Sequence, residues 1–171
     1  AGLLGIAQGV FELCQNIELQ NLNLELHVFG DGAEKFQIEE LIKQNPEKKI
    51  FFHGMLERTV LHEKLKTFDI ALIPLKTRIY GSVPSKIFEY GSLGFPVLYF
   101  GGGEGETIVK ENNLGWIAQV GNFESLNITL IEISKAGKSE IQTMKQQVFD
   151  CAQDNFNLDF QIKNLINKGV F

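Results

Sequence analysis

The sequence has 171 residues, 44% of them hydrophobic and 22% charged, with 16 Lys and Arg against 21 Asp and Glu for a net charge of −5. That is enough chain for one well-buried domain and too little for two of ordinary size. Acidic and basic residues are interspersed, which argues against a nucleic-acid partner because duplex binding needs a dense basic face to displace counterions.

AGLLGIAQGV (1–10) reads as the end of a strand, a glycine-rich turn and a helix start. A first strand cut short leads us to expect a fragment whose partner domain was removed. Val10, Leu13, Cys14 and Ile17 fall at helical spacing and predict an amphipathic helix over 8–20. LELHVFG (24–30) predicts a strand closed by the turn Gly30-Asp31-Gly32. A helix over 33–44 ends at Asn45-Pro46; a short strand covers 49–54, and a helix 57–67. DIALIPL (69–75) is a continuous apolar run, the mark of a strand covered on both faces.

Pro84 opens a helix running to about Leu93, FPVLYF (95–100) is a second buried strand, and three glycines (101–103) make a sharp turn. A helix over 105–112 and the strand GWIAQV (115–120) follow, and beyond Asn122 the pattern is helical. Alternation of this kind predicts an α/β fold: a Rossmann-like, doubly wound parallel sheet of five to six strands, helices on both faces, and C-terminal helices. No linker or repeat divides the chain, so 1–171 reads as a single domain. Ligands of such sheets bind beyond the carboxyl ends of the strands, which points to the loops 2–9, 30–33, 53–57, 75–84 and 100–106.

Cys14 and Cys151 match no metal-ligand spacing and lie in apolar-periodic stretches, so they are expected to be reduced packing residues of a cytoplasmic protein. No apolar run approaches a membrane span, and the start has no basic-then-apolar leader pattern.

VPSKIFEYGSLGFPVL (83–98) carries the most chemistry. Pro84 suits a helix's first turn, and Ser85, Lys86 and Glu89 follow within one turn, at its positive end. Free amides there, with Lys86, suit a diphosphate, while Glu89 could accept hydrogen bonds from the two hydroxyls of a ribose. The same residues also fit a surface helix with an ordinary i,i+3 ion pair. Spacing alone does not choose between these readings.

The segment resembles the donor-site signature of GT-B glycosyltransferases of the "group 1" family, in the branch written P-S-K-x-x-E-Y-x-x-x-G-x-P-V. The likeness is co-linear over roughly 1–125. AGLLGIAQGV is similar to the family's first glycine turn, which faces the donor phosphates. HVFGDGAEK (27–35) resembles the next βα turn, FFHGML (51–56) the stretch that cradles the base, FDIALIPL (68–75) the strand after it, and GEGETIVKENNLGW (103–116) the block near the donor sugar. The resemblance implies donor contacts from Gly2, Gly5, Gly32, His53, Gly54, Ser85, Lys86, Glu89 and Glu106, with Glu89 on the ribose.

Two positions depart from the family pattern. Relatives often carry a second glutamate seven residues before the first, where this chain has Gly81, and a basic residue in the first turn, where it has Ile6. Charge on the leaving phosphates then falls to Lys86, Arg78 and backbone amides.

Other candidates weigh less. Gly30-Asp31-Gly32 starts a dinucleotide fingerprint, but Lys35 replaces its third glycine. His53, a lone histidine at a strand end in a ligand-facing loop, fits a structural hydrogen-bonder more readily than a base contact. His27 and His62 have no matching ligand set, and no paired aspartates suggest a phosphoacceptor. Glu104 and Glu106 fit simple helix-dipole partners.

The reading is therefore a UDP- or GDP-sugar-binding half of a bacterial glycosyltransferase, without metal or other cofactor. The resemblance implies an N-terminal acceptor domain in cis, C-terminal helices packing toward it, and work on surface polysaccharide or lipid-linked acceptors at the inner face of the cytoplasmic membrane. The alternative is a non-catalytic nucleotide-binding α/β module or degenerate transferase.

Overall fold

The computed structural model describes residues 1–5, 7–77 and 81–156. The elements alternate as expected: β1 (Gly2–Leu3), α1 (Val10–Asn16), β2 (Leu26–Val28), β3 (Gly30–Asp31), α2 (Lys35–Gln44), β4 (Ile50–Phe52), α3 (Arg58–Leu65) and β5 (Ala71–Pro74). They continue with α4 (Ser85–Ser92), β6 (Val97–Phe100), α5 (Glu104–Glu111), β7 (Gly115–Ile117), α6 (Phe123–Lys135) and α7 (Lys138–Phe156). Every strand pairing is parallel, as chain crossovers through helices require.

The α/β class holds, but the described residues form seven short strands rather than five or six, in three hydrogen-bonded groups: β1 with β3, β2 with β4, and β5–β6–β7. The extra count has a physical cause. The predicted strand 24–30 is divided at Phe29 because its two parts pair with different neighbours. Leu26 N donates to Lys49 O, and His53 N to Val28 O. Gly2 N donates to Phe29 O, and Leu4 N to Asp31 O. Backbone groups alternate between the two edges of a strand, so β4 and β1 lie on opposite edges of this run.

Helix α1 ends at Asn16, earlier than its periodicity suggests. Ile17 turns extended (ψ 137°), and it and Leu19 are almost fully buried in the core between α1, β2 and α6. A second cluster joins β5 and β6 to α4, α5 and α7 through Ile73, Ile87, Val97, Tyr99, Val109 and Val148. Helix α7 lies against α4: a Cβ at Gly91 would meet Ala152 Cβ at 3.5 Å, and the Phe88 and Phe156 rings meet edge-on at 5.1 Å. Cys14 is fully buried with its thiol pushed up to about 12, by burial first. Both cysteines are free. No described helix is long and apolar enough to cross a membrane.

Between β2 and β5 a cavity of about 870 Å³ opens along the strands. The edges facing each other across it are not paired with one another.

Candidate functional site

The carboxyl ends of β1, β5 and β6 bring three loops together. The backbone of the first glycine turn is tied to the loop after β5 by Lys76 N donating to Ala7 O at 3.1 Å. A Cβ added at Gly2 would lie 3.6 Å from Lys86 Cε, so the first turn borders the start of α4. On the other flank, Gly81 N donates to the Glu104 carboxylate at 3.1 Å, linking the stretch before α4 to the first residue of α5.

At that junction α4 begins with Pro84 as its N-cap and Ser85 as its first residue. Proline there supplies a fixed φ and leaves the following amides unsatisfied. Ser85 is exposed, and Lys86 and Glu89 are half-buried on the same turn. Lys86 Nζ holds Glu89 Oε2 at 2.7 Å, with 36% and 39% of the two side chains exposed. The ammonium also lies 5.5 Å from the centre of the Tyr90 ring. Tyr90 is buried, and its hydroxyl is pushed up to about 12 by burial first and then by the Glu89 charge. An ion pair this exposed is worth less than about 1 kcal/mol, so an arriving anion can take Lys86 from Glu89 at little cost.

The positive end of α1 is differently placed. One of its first amides has a side-chain partner already: Phe11 N donates to Glu34 Oε2 at 3.0 Å, and Glu34 is buried. A carboxylate there complements the helix dipole by about 1 kcal/mol. Sequence reasoning missed Glu34, because it lies 23 residues from its partner and nothing local marks the contact.

The remaining candidates separate. Gly5 lies in the first turn, where a Cβ would meet Gln8 Oε1 at 2.9 Å. Gly32 is a packing residue in the described structure: its φ is +153°, and a Cβ would come 2.5 Å from the Leu4 carbonyl oxygen. Gly30 is tighter still, at 1.8 Å from the Gly2 carbonyl oxygen. The two glycines of the supposed fingerprint therefore let β1 pass close by. Gly54 caps β4, its carbonyl accepting from Gly30 N at 2.8 Å, with open space where a side chain would be.

His53 turns into an aromatic cluster. Its Nε2 lies 2.9 Å from His27 Nδ1, so one of the two nitrogens carries the shared proton, and its ring stacks on Phe29 at 4.4 Å. Burial, then His27 and Lys64, lower its pKa.

Glu106 is half-buried in the first turn of α5. Beneath that loop Tyr99, missed from sequence, donates to Gly102 O at 3.0 Å. Its hydroxyl is pushed up to about 12 by burial, then by Glu106 and Glu104, so it stays a donor and props the glycine triplet from below. Arg78 and Ile6 lie outside the described residues. Among the described residues no group of three or more His, Cys, Asp or Glu is arranged to hold a metal.

A parallel α/β layer with glycine turns and a helix start gathered at its strands' carboxyl ends defines the class of folds that take small ligands there. The family model of glycosyl transferases group 1 matches residues 3–147, and the chain belongs to that family. No curated protein matches the sequence significantly. Among solved structures, the chain is similar to Anabaena Alr3699/HepE in complex with UDP, with 17% identity and a TM-score of 0.74 over 99% of this chain and 47% of that one. It is also similar to the C-terminal domain of the glycosyl transferase group 1 family protein LpcC from Francisella tularensis, at 16% identity and TM-score 0.71 over 92% and 84%. The catalytic domain of cholesterol-alpha-glucosyltransferase from Helicobacter pylori gives 17% and 0.70 over 90% and 94%. The chain spans about half the length of the Anabaena protein.

Proposed function

We propose that this chain is the nucleotide-sugar-binding half of a glycosyltransferase and works as a single domain beside an N-terminal acceptor domain. The observation that carries the reading is the start of α4: Ser85, Lys86 and Glu89 gathered in its first turns, with Gly2 backbone against Lys86. Family membership and the UDP bound by the Anabaena neighbour support it. In this reading the donor's diphosphate displaces Glu89 from Lys86 and takes the free amides of α4. Glu89, released, accepts from the ribose hydroxyls.

During transfer the bond between the anomeric carbon and the phosphate oxygen breaks, and the nucleoside diphosphate leaves with the electron pair. The acceptor hydroxyl bonds to that carbon and gives its proton to a base outside this chain. Lys86, Arg78 and the helix amides stabilise charge on the leaving phosphates. Gly5, Gly54 and Glu106 line the approach of donor phosphates, base and sugar respectively. With one amide at the start of α1 already held by Glu34, we assign phosphate recognition mainly to α4. We place the work in a bacterial cytoplasm, at the inner membrane face, on surface polysaccharide or lipid-linked acceptors.

A second reading, a non-catalytic nucleotide-binding module, draws support from that same Glu34 contact and from Gly81. Calorimetric titration with UDP, GDP and their sugar conjugates tests the first. Saturable binding that is lost in Lys86→Ala and Glu89→Ala is the expected result. Silence toward every nucleotide, in this chain and in one carrying an N-terminal half, contradicts it. Binding without transfer in the longer chain selects the second reading.

A further inference from the structure

We infer that Glu34 is a positioning residue for the donor site: it caps α1 from the neighbouring helix and so fixes both ends of the first glycine turn. The inference rests on the donor-site reading for what that turn faces, and on hydrogen bonds of the fold for how the turn is held.

Glu34 stands at the N-cap of α2, yet its side chain accepts no hydrogen bond from that helix. It reaches across to α1 instead, where Phe11 N donates to its Oε2 at 3.0 Å. The reason lies in Gly9, the N-cap of α1. Its φ of +61° suits glycine, and glycine has no side chain to cap with. A serine, threonine or aspartate would ordinarily satisfy one of the free amides from that position. Here a carboxylate 23 residues beyond Phe11 does so. Only 8% of Glu34 is exposed, so water competes little for the bond.

The same residue holds the other end of the turn. Glu34 N donates to Leu4 O at 3.3 Å, while Leu4 N donates to Asp31 O at 2.9 Å. A Cβ added at Gly32 would lie 2.5 Å from Leu4 O, so the Leu4 peptide sits directly on the stretch 31–34. Leu4 and Phe11, on either side of the turn, are therefore both gripped by one short segment. Between them the turn meets the loop after β5: Lys76 N donates to Ala7 O at 3.1 Å, and a Cβ at Gly9 would touch Lys76 Cβ at 3.4 Å. A turn held in place before the donor arrives loses little entropy on binding, whereas a loose one must be ordered at that moment.

Two other roles for Glu34 forecast different results. A carboxylate acting as a stand-in for phosphate at the positive end of α1 would repel the donor, and removing its charge would tighten binding. A carboxylate that only stabilises the fold would shift the unfolding midpoint and leave affinity alone.

The test titrates UDP, well below the melting temperature, into the chain, Glu34→Gln, Glu34→Asp and Glu34→Ala, with Lys86→Ala as the control for the donor-site reading. Glutamine keeps an acceptor oxygen at the same reach and drops the charge. Aspartate keeps the charge and is one methylene shorter. Glu34→Gln should bind UDP within about twofold of the parent, and Glu34→Asp and Glu34→Ala about tenfold more weakly. Hydrogen exchange at the Lys76 amide should follow the same order, about tenfold faster in the Asp and Ala variants, while Leu75, which donates to Phe100 O, stays unchanged. If Glu34→Ala does not fold, the comparison of Gln with Asp decides alone. Tighter UDP binding in Glu34→Gln, or equal affinity in the parent and every Glu34 variant, overturns the proposal. If the parent binds no UDP, or Lys86→Ala binds it as well as the parent, the donor-site reading fails separately and exchange decides the role of Glu34. Lys76 equally protected in Glu34→Gln and Glu34→Asp then overturns it.

Discussion

β6 lies in the middle of a three-stranded group and β2 in a two-stranded one, and they are buried very differently. β6 has β5 on one edge and β7 on the other, and all four of its residues are buried. β2 has β4 on one edge only, and of its three residues just Val28 is buried. The sequences differ accordingly: VLYF is apolar throughout, whereas LHV carries a histidine at its centre. The comparison shows that burial of a strand here follows from how many neighbours its backbone has.

The sharpest way to break the comparison uses a glycine from each half. Gly115 and Gly30 face the same kind of obstacle: an added Cβ would come 2.1 Å from Val97 O and 1.8 Å from Gly2 O respectively. Val97 is locked between β5 and β7 and cannot give way, so Gly115→Ala should cost about 4 kcal/mol in urea unfolding. Gly2 belongs to a two-residue strand held from one side and can move back, so Gly30→Ala should cost about 2 kcal/mol. Equal costs would show β1 to be as firmly held as β6.

Next in size is the loss of apolar side chains. Leu98 is fully enclosed, and Leu98→Ala should cost about 3 kcal/mol. Leu26 is half-buried, and Leu26→Ala should cost about 1 kcal/mol.

The smallest effect concerns pH. His53 in the folded chain binds its proton less readily than in the unfolded chain, chiefly because it is buried and then because His27 and Lys64 are near. Its contribution to stability is therefore fully present above the ordinary histidine value of about 6.5 and is lost as pH falls through the lowered folded value. The melting temperature should drop between about pH 7 and pH 5, and drop less in His53→Gln. Identical slopes in both proteins would assign the pH dependence to other groups.

Much of this was legible in the sequence because it is local. The unbroken apolar runs at 69–75 and 95–100 gave β5 and β6, trimmed at Pro96, which has no N–H for the ladder. The Pro-Ser-Lys start gave α4 and its ion pair. What stayed hidden depends on distant partners. Glu34 looks like any surface carboxylate until α1 is packed beside α2, and the partner of His53, His27 on the neighbouring strand, is not visible from spacing. The close approach of the β1 backbone to Gly30 and Gly32 is likewise set by a distant segment, whereas the turn they make was legible from their spacing.

The central claim is that Lys86 serves a diphosphate and Glu89 a ribose. It is tested most directly by titrating the chain, Lys86→Ala and Glu89→Ala with UDP and, separately, with inorganic pyrophosphate. The account predicts that Lys86→Ala weakens both ligands, whereas Glu89→Ala weakens UDP but leaves pyrophosphate binding unchanged or stronger, since Lys86 is then released from its 2.7 Å pair. Equal losses of both ligands in Glu89→Ala, or unchanged UDP binding in Lys86→Ala, would contradict it.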